Sequence, residues 1–302
     1  MSRTKRIAVV VAAALAVAAC GQETRPRSAA PPPQAGDFPV TLTDDEGVEV
    51  TLEAPPQRIV TFAPSHTEIL FALGLGQRVV GVSGPFDDFP PEARGIEPVS
   101  GTGGVEPNIE KVVSLEPDLL LTGFIGGEWK ERLRELEVPV FTTLAASLED
   151  TLEDIETIGR LTGALPRAEA LTESMAARVQ AVESRIEQGA PVSCFLDLSD
   201  LFTVGPGSLE FDLLERAGCN PITASSGEPY TQWSLEQLVA DDPDVYLVAE
   251  GIKVQQVIDR SGIRDLTAVE EGRVFEVNSD LISRPGPRVV EGLEHLAELL
   301  HG

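Results

Sequence analysis

The sequence predicts an α/β protein of two lobes with mostly parallel sheets, joined by a single long helix. Three observations carry that expectation. Strand-like and helix-like segments alternate from residue 58 onward, the pattern of a parallel sheet with crossover helices. A fourteen-residue unit recurs at a constant offset of 126 residues, far beyond any solenoid period. A long helix-favouring stretch separates the two copies.

Taken in order, the chain opens with Arg3, Lys5 and Arg6 ahead of an apolar run from Ile7 to Ala19. This is the charged start and apolar centre of a signal peptide over residues 1–19. Thirteen residues rise only about 20 Å as a helix, short of the roughly 30 Å of a hydrocarbon core. Val17-Ala-Ala-Cys20-Gly21 resembles the bacterial lipobox, with an ordinary secretory signal and an incidental cysteine as the alternative. A lipobox makes Cys20 the acylated first residue of the mature chain, and several acyl chains together anchor stably. Residues 20–38 are proline-rich and aperiodic, a flexible tether.

An N-terminal lobe is expected over residues 39–146. It starts with a hairpin around Asp44-Asp-Glu-Gly47, followed by a buried strand at 58–62. A helix is then expected with Ser65-His-Thr-Glu68 as its capping box, ending at Gly74 and Gly76, before a strand at 79–82. The first copy of the repeat is Asn108-Ile-Glu-Lys-Val-Val-Ser-Leu-Glu-Pro-Asp-Leu-Leu-Leu121. The second is Ser234-Leu-Glu-Gln-Leu-Val-Ala-Asp-Asp-Pro-Asp-Val-Tyr-Leu247. Five positions are identical: Glu110/Glu236, Val113/Val239, Pro117/Pro243, Asp118/Asp244 and Leu121/Leu247. Each copy reads as polar cap, amphipathic helix, Pro-Asp turn and apolar strand. Two similar lobes explain the repeat most simply, a chance match of two generic units being the alternative.

The helical connector is expected over residues 147–190. Leu148, Leu152, Ile155, Ile158 and Leu161 share one face, Gly163 and Pro166 interrupt, and Leu171, Met175, Val179, Val182 and Ile186 share a second face. A helix of some 20 residues, about 30 Å long, makes a stiff joint, so the cleft between the lobes is expected to change little on filling. The C-terminal lobe follows over residues 191–302. In an exported chain Cys194 and Cys219 are either disulfide partners or two small buried hydrophobes.

The charge balance, 23 Lys+Arg against 49 Asp+Glu for a net −26, repels phosphate backbones and argues against nucleic-acid binding. Enzyme signatures are missing. There is no G-x-S-x-G elbow, no Walker A motif, and Gly74-x-Gly76 lacks a third glycine, since Val79 stands there. Only His66 lies in the body of the chain, too little for a metal centre of converging histidines and carboxylates. Catalysis and a bound cofactor are therefore not expected.

At this point a family likeness enters. Pro64-Ser-His-Thr-Glu-Ile-Leu-Phe-Ala-Leu-Gly74, Val79-Val-Gly-Val-Ser83 and Phe89-Pro-Pro-Glu-Ala93 resemble the first lobe of a known family of binding proteins. The repeat copies, Leu201-Phe-Thr-Val-Gly-Pro-Gly-Ser208 and Arg284-Pro-Gly-Pro-Arg288 continue the match in order. The family comprises the substrate-binding proteins of ABC importers for vitamin B12, haem and ferric siderophores, and the pattern is nearest its vitamin B12-binding branch. The resemblance implies a class III fold, two α/β lobes on one long helix. It also implies a monomer that delivers a macrocycle or chelate to an ABC permease dimer, lipid-anchored on the outer face of the cytoplasmic membrane.

By the same resemblance the ligand-binding residues are His66, Phe86, Phe124, Phe202, Tyr230, Trp233 and Arg284. Glu110 and Glu236, one per lobe, would dock on permease arginines. One departure is clear: a stacking Trp expected before the Asn108 helix is replaced by Gly101-Thr-Gly-Gly104. Flat rings at the carboxyl ends of parallel strands suit a flat guest, although most Phe residues are core, and Phe62 and Phe71 are assigned there. His66 is either an exposed helix-start residue without a task or a cleft-facing imidazole able to meet a ligand's metal, with Tyr230 opposite. Arg284 either lies beside the ligand or pairs with an acidic neighbour. Glu110 and Glu236 have the competing role of first-turn carboxylates stabilised by a helix dipole. Haem propionates and many siderophores are anionic and call for several cations, so the scarcity of basic candidates favours cobalamin or a similar corrinoid. Haem or ferric-siderophore capture is the first alternative, and an extracellular enzyme or sensor domain reusing the fold is the second.

Overall fold

The computed structural model describes residues 38–101, 106–186 and 192–302. The signal peptide, Cys20, nearly all of the tether and most of the Gly101–Gly104 departure lie outside the described residues.

The chain enters through the expected hairpin, β1 (Val40–Thr43) against β2 (Glu49–Leu52). Its turn is organised by the buried Asp44 carboxylate, which accepts from the amides of Glu46 (3.0 Å) and Val48 (2.8 Å). Five parallel strands then build the N-terminal sheet: β3 (Ile59–Phe62), β4 (Val79–Val82), β5 (Glu97–Pro98), β6 (Leu119–Thr122) and β7 (Val140–Thr142), in the order β5-β4-β3-β6-β7. β3 and β6 are buried along their whole length, so they carry no alternating polar pattern. Helices α1 (Pro64–Ala72), α2 (Ile109–Ser114) and α3 (Glu128–Glu135) connect these strands.

The capping box at Ser65 is not formed. α1 begins two residues earlier, with Ala63 as the extended cap and Pro64 in the first turn. Proline there brings a preset φ and lacks only an amide that has no helical partner anyway. Glu68 is thereby free to turn away from the helix start. Phe62 is fully buried as expected, but Phe71 is only half-buried and lines a groove with Phe89 and Pro90.

The helical connector resolves into α4 (Leu148–Thr162) and α5 (Leu165–Ile186). Ser147 caps α4 through its Oγ to the Asp150 amide (3.1 Å), and Gly163 ends it in the left-handed region, φ +72°. α5 is about 33 Å long.

The C-terminal lobe has a four-stranded parallel sheet in the order β10-β8-β12-β13, with β8 (Val192–Asp197), β10 (Cys219–Pro221), β12 (Val245–Ala249) and β13 (Val274–Val277). A small antiparallel ribbon pairs β9 (Phe202–Val204) with β11 (Tyr230–Gln232). Around them lie α6 (Leu209–Arg216), α7 (Leu235–Asp241), α8 (Val254–Ile258), α9 (Thr267–Glu270), α10 (Ser279–Ile282) and α11 (Val289–His301). Cys194 and Cys219, on the adjacent strands β8 and β10, are joined by a disulfide with 5.9 Å between Cα atoms.

The internal repeat acquires a physical reason. In each lobe the repeated Asp grips the backbone just before the central strand. Asp118 accepts from the amides of Gln57 (2.6 Å) and Arg58 (2.8 Å) ahead of β3. Asp244 accepts from the Ser193 amide (2.8 Å) and hydroxyl (2.7 Å) at the start of β8. Hydrogen bonds from Ser193 hold the Asp244 carboxyl below the ordinary range. The repeated caps match too, Asn108 to the Lys111 amide and Ser234 to the Gln237 amide.

The two lobes share one continuous apolar core. It runs from Ile59 and Leu119 through Ile155, Ile158 and Met175 to Leu196 and Leu247. Ion pairs reinforce the junction. Arg216 of α6 joins α4 at Glu149, α5 at Glu183 (2.8 Å) and its own Asp212 (2.9 Å). The Arg178 guanidinium on α5 holds Glu294 of α11 by two bonds (2.9 and 2.7 Å). Deepest is Glu68, its side chain 2% exposed, which accepts two bonds from Arg288 (2.8 and 2.6 Å) and lies 3.4 Å from Arg284. Removing one member of a buried pair strands the other charge. Glu68→Gln is therefore expected to cost about 3 kcal/mol in urea unfolding, and Glu68→Asp less.

Candidate functional site

The site lies where parallel sheets present ligands, outside the carboxyl ends of the strands. The segments after β3 (Ala63, Pro64, Ser65), β6 (Gly123, Phe124, Ile125) and β7 (Thr143 to Ala146) form one wall. Gly207, Tyr230 and the Ser283-Arg284-Pro285 turn form the other. The cleft between them has a volume of about 500 Å3. A second concavity of about 500 Å3, containing Phe71, Phe89 and Glu92, lies almost wholly on the N-terminal lobe and takes only Pro287 from the other. Only the first draws a broad surface from both lobes.

Phe124 and Tyr230 face this cleft from opposite lobes, 43% and 48% exposed. Large aromatic rings left this open on a folded surface are available to a guest. Behind Tyr230 stands Phe202, its ring stacked at 6.3 Å and 16°. The Tyr230 hydroxyl donates to the buried Glu210 (3.0 Å), and burial followed by the Glu210 charge pushes its pKa up, so the ring stays neutral. Phe86, 71% exposed, stands on a loop after β4 that Asp87 organises by accepting from Thr67 (2.6 Å), the Gly84 amide (2.9 Å) and Ser83. Phe86 and Phe202 do not line the cleft volume itself.

Two sequence expectations need correction. Trp233 is 7% exposed and packs among Phe195, Leu238 and Tyr246. It follows Tyr230 by three residues, and an odd offset along extended chain turns it to the opposite face. His66 is neither exposed nor cleft-lining. It is 2% exposed, its Nε2 is 2.9 Å from the Thr143 hydroxyl, and a Cβ placed on Gly123 would lie 3.9 Å from its ring. Burial lowers its pKa to about 4, so the imidazole is neutral.

Arg284 lines the cleft, but its charge is engaged. Its guanidinium lies 2.6 Å from Asp280, 3.4 Å from Glu68 and 3.9 Å from Asp88. Glu110 and Glu236 are exposed first-turn residues of α2 and α7, away from the cleft lining. Among the described residues no group of three or more His, Cys, Asp or Glu side chains could hold a metal ion.

Sequence reasoning missed the residue that positions Phe124. Lys130 of α3 is 2% exposed, and its ammonium donates to Glu46 Oε2 (2.7 Å), Thr142 Oγ1 (3.0 Å) and the Phe124 carbonyl. The other Glu46 oxygen accepts from the Gly126 amide. Burial opposes the Glu46 charge, but the bonds from Lys130 and Gly126 outweigh it and leave the carboxyl below its ordinary pKa. Lys130 and Glu46 are 84 residues apart, so a lysine on a charged helix offered no local sign of its role.

Asp154 of α4 was also missed. It lies beside Thr143, and burial pushes its pKa from 3.8 to about 7, with Asp45, Asp150 and Glu153 adding repulsion. Its proton is held in the folded chain between about pH 4 and 7, where the unfolded chain has released it. This contribution to stability is present in acid and lost as pH rises to 7. His66 acts oppositely: the folded chain keeps it neutral where the unfolded chain binds a proton, so its contribution is lost as pH falls from 6.5 to 4.

Asp154→Asn is accordingly expected to leave stability unchanged near pH 4 and raise it by roughly 2–4 kcal/mol at pH 8, measured by denaturant titration at both values. Lys130→Met is expected to speed amide exchange at Phe124 and Gly126 by about tenfold or more, with exchange in the C-terminal sheet unaltered.

Comparison with known proteins agrees with this geometry. The family model described as "Periplasmic binding protein" matches residues 59–281. The chain is 32% identical to an uncharacterized ABC transporter substrate-binding lipoprotein of Bacillus subtilis, covering 97% of this chain and 96% of the relative. It is 35% identical to a cobalamin-binding protein of Halobacterium salinarum, covering 97% and 83%. The crystal structure of the periplasmic vitamin B12 binding protein of Vibrio cholerae superposes with a TM-score of 0.72 at 28% identity, covering 82% of this chain and 97% of that one. A bilobal chain with its cleft at the strand ends, matched over most of its length, belongs to the periplasmic binding protein family, as a substrate-binding protein of the ABC transporter type.

Proposed function

We propose that this chain captures cobalamin or a similar corrinoid between its lobes and delivers it to an ABC permease in the cytoplasmic membrane. The observation that carries the reading is the pair Phe124 and Tyr230, one ring from each lobe facing the same cleft. Flat π surfaces suit a macrocycle, and the few polar groups nearby set its orientation. The names of the Halobacterium and Vibrio relatives support the same ligand class. Phe86 and Phe202 extend the aromatic surface, and Arg284 marks the polar edge. Catalysis has no part in this reading.

The acylated Cys20 anchors the protein on the outer face of the membrane. Glu110 and Glu236 are the docking charges: equivalent repeat positions on two lobes suit a two-fold permease, where charge serves orientation and encounter rate. Their exposure in the first turns of α2 and α7 supports this use.

Calorimetric titration of the mature protein with cyanocobalamin tests the reading. Saturable one-to-one binding is expected, with Phe124→Ala and Tyr230→Ala each weakening it about tenfold, as loss of about 1–1.5 kcal/mol of ring stacking would give. Saturable binding of haemin or a ferric siderophore in its place would move the assignment to those ligands. Binding of none of the three would end the carrier reading.

A further inference from the structure

Among the described residues lining the cleft, Arg284 is the one ionised side chain. A lone cation on a cleft wall is an obvious handle for an anionic guest, yet its surroundings cancel it. Asp280 lies one helical turn before it at 2.6 Å, Glu68 reaches it from the other lobe at 3.4 Å, and Asp88 lies at 3.9 Å. Arg288 is the second cation of the group and is occupied by Glu68 and by the Phe89 ring, 4.0 Å from its centroid. Two guanidinium groups thus meet three carboxylates, and the cluster carries an excess negative charge at the edge of the cleft. The Arg284 side chain is itself 13% exposed, so little of its field reaches the cleft unopposed.

We infer that Asp280, supported by Asp88, is a selectivity residue: it neutralises Arg284 and so denies carboxylate-bearing flat ligands the attraction a free guanidinium would supply. This deepens the capture reading and rests on it. Glu68 is needed for the lobe junction, whereas Asp280 and Asp88 are 42% and 53% exposed and, among the described residues, pair only with Arg284. Their shared partner assigns them to the cleft's electrostatics. In cyanocobalamin the charges of the corrin–cobalt centre, the cyanide and the phosphodiester cancel, so its binding is indifferent to this cluster. Haemin carries two propionates and is repelled by it. Like-charge juxtaposition is a general means of excluding a wrong partner.

The test compares haemin and cyanocobalamin affinities of the mature protein and of Asp280→Asn, at low salt and at 0.5 M salt. Removing one unit of negative charge within several ångströms of the guest is expected to raise haemin affinity relative to cyanocobalamin by about five- to tenfold. Most of that gain should vanish at the higher salt, where the screening length falls to about 4 Å. Asp88→Asn should act in the same direction but less strongly. Asp280→Glu should keep the wild-type ratio, and Asp280→Asn combined with Arg284→Gln should lose the gain. An unchanged ratio in Asp280→Asn, with cyanocobalamin still bound, overturns the inference and leaves the capture reading intact. Failure of the wild-type protein to bind either ligand overturns both.

Discussion

The junction of the two lobes rests on a carboxylate that has almost no water. Glu68 sits in the first helix of one lobe, and its charge is tolerable only because two arginines of the other lobe surround it. That requirement fixes where the Ser283–Arg288 segment runs, and this segment supplies part of the cleft wall. One electrostatic debt in the interior therefore sets the spacing between the surfaces that a guest would touch.

Legibility in the sequence followed the range of the interactions. The alternating strands and helices, the hairpin, and the break at Gly163 all arise from neighbours in the chain, and the sequence shows them directly. The repeat at 126 residues was visible as letters, but its cause was not. Only the fold reveals that Asp118 and Asp244 each fasten the start of a central strand. The expected capping box at Ser65 failed because its glutamate is held by partners more than 200 residues away, a distance over which no local pattern speaks.

The same division runs through the site. Phe124 and Tyr230 follow or form strand ends, and a sheet's geometry is enough to direct them to the cleft. Trp233 and His66 are sorted by strand parity and by burial, neither of which composition reveals. Lys130, Glu46, Glu210 and Asp87 form no motif at all. Lys130, Glu210 and Asp87 are buried and Glu46 is half-buried; each has one structural duty, the holding of an aromatic or its loop in place, and each is defined by contacts that exist only in the folded chain.

The continuity of the apolar core across the connector has a mechanical corollary. A receptor whose halves are welded through shared side chains has no spring of its own with which to expel its cargo. Any change in the width of the cleft has to deform packed side chains rather than swing an empty linker.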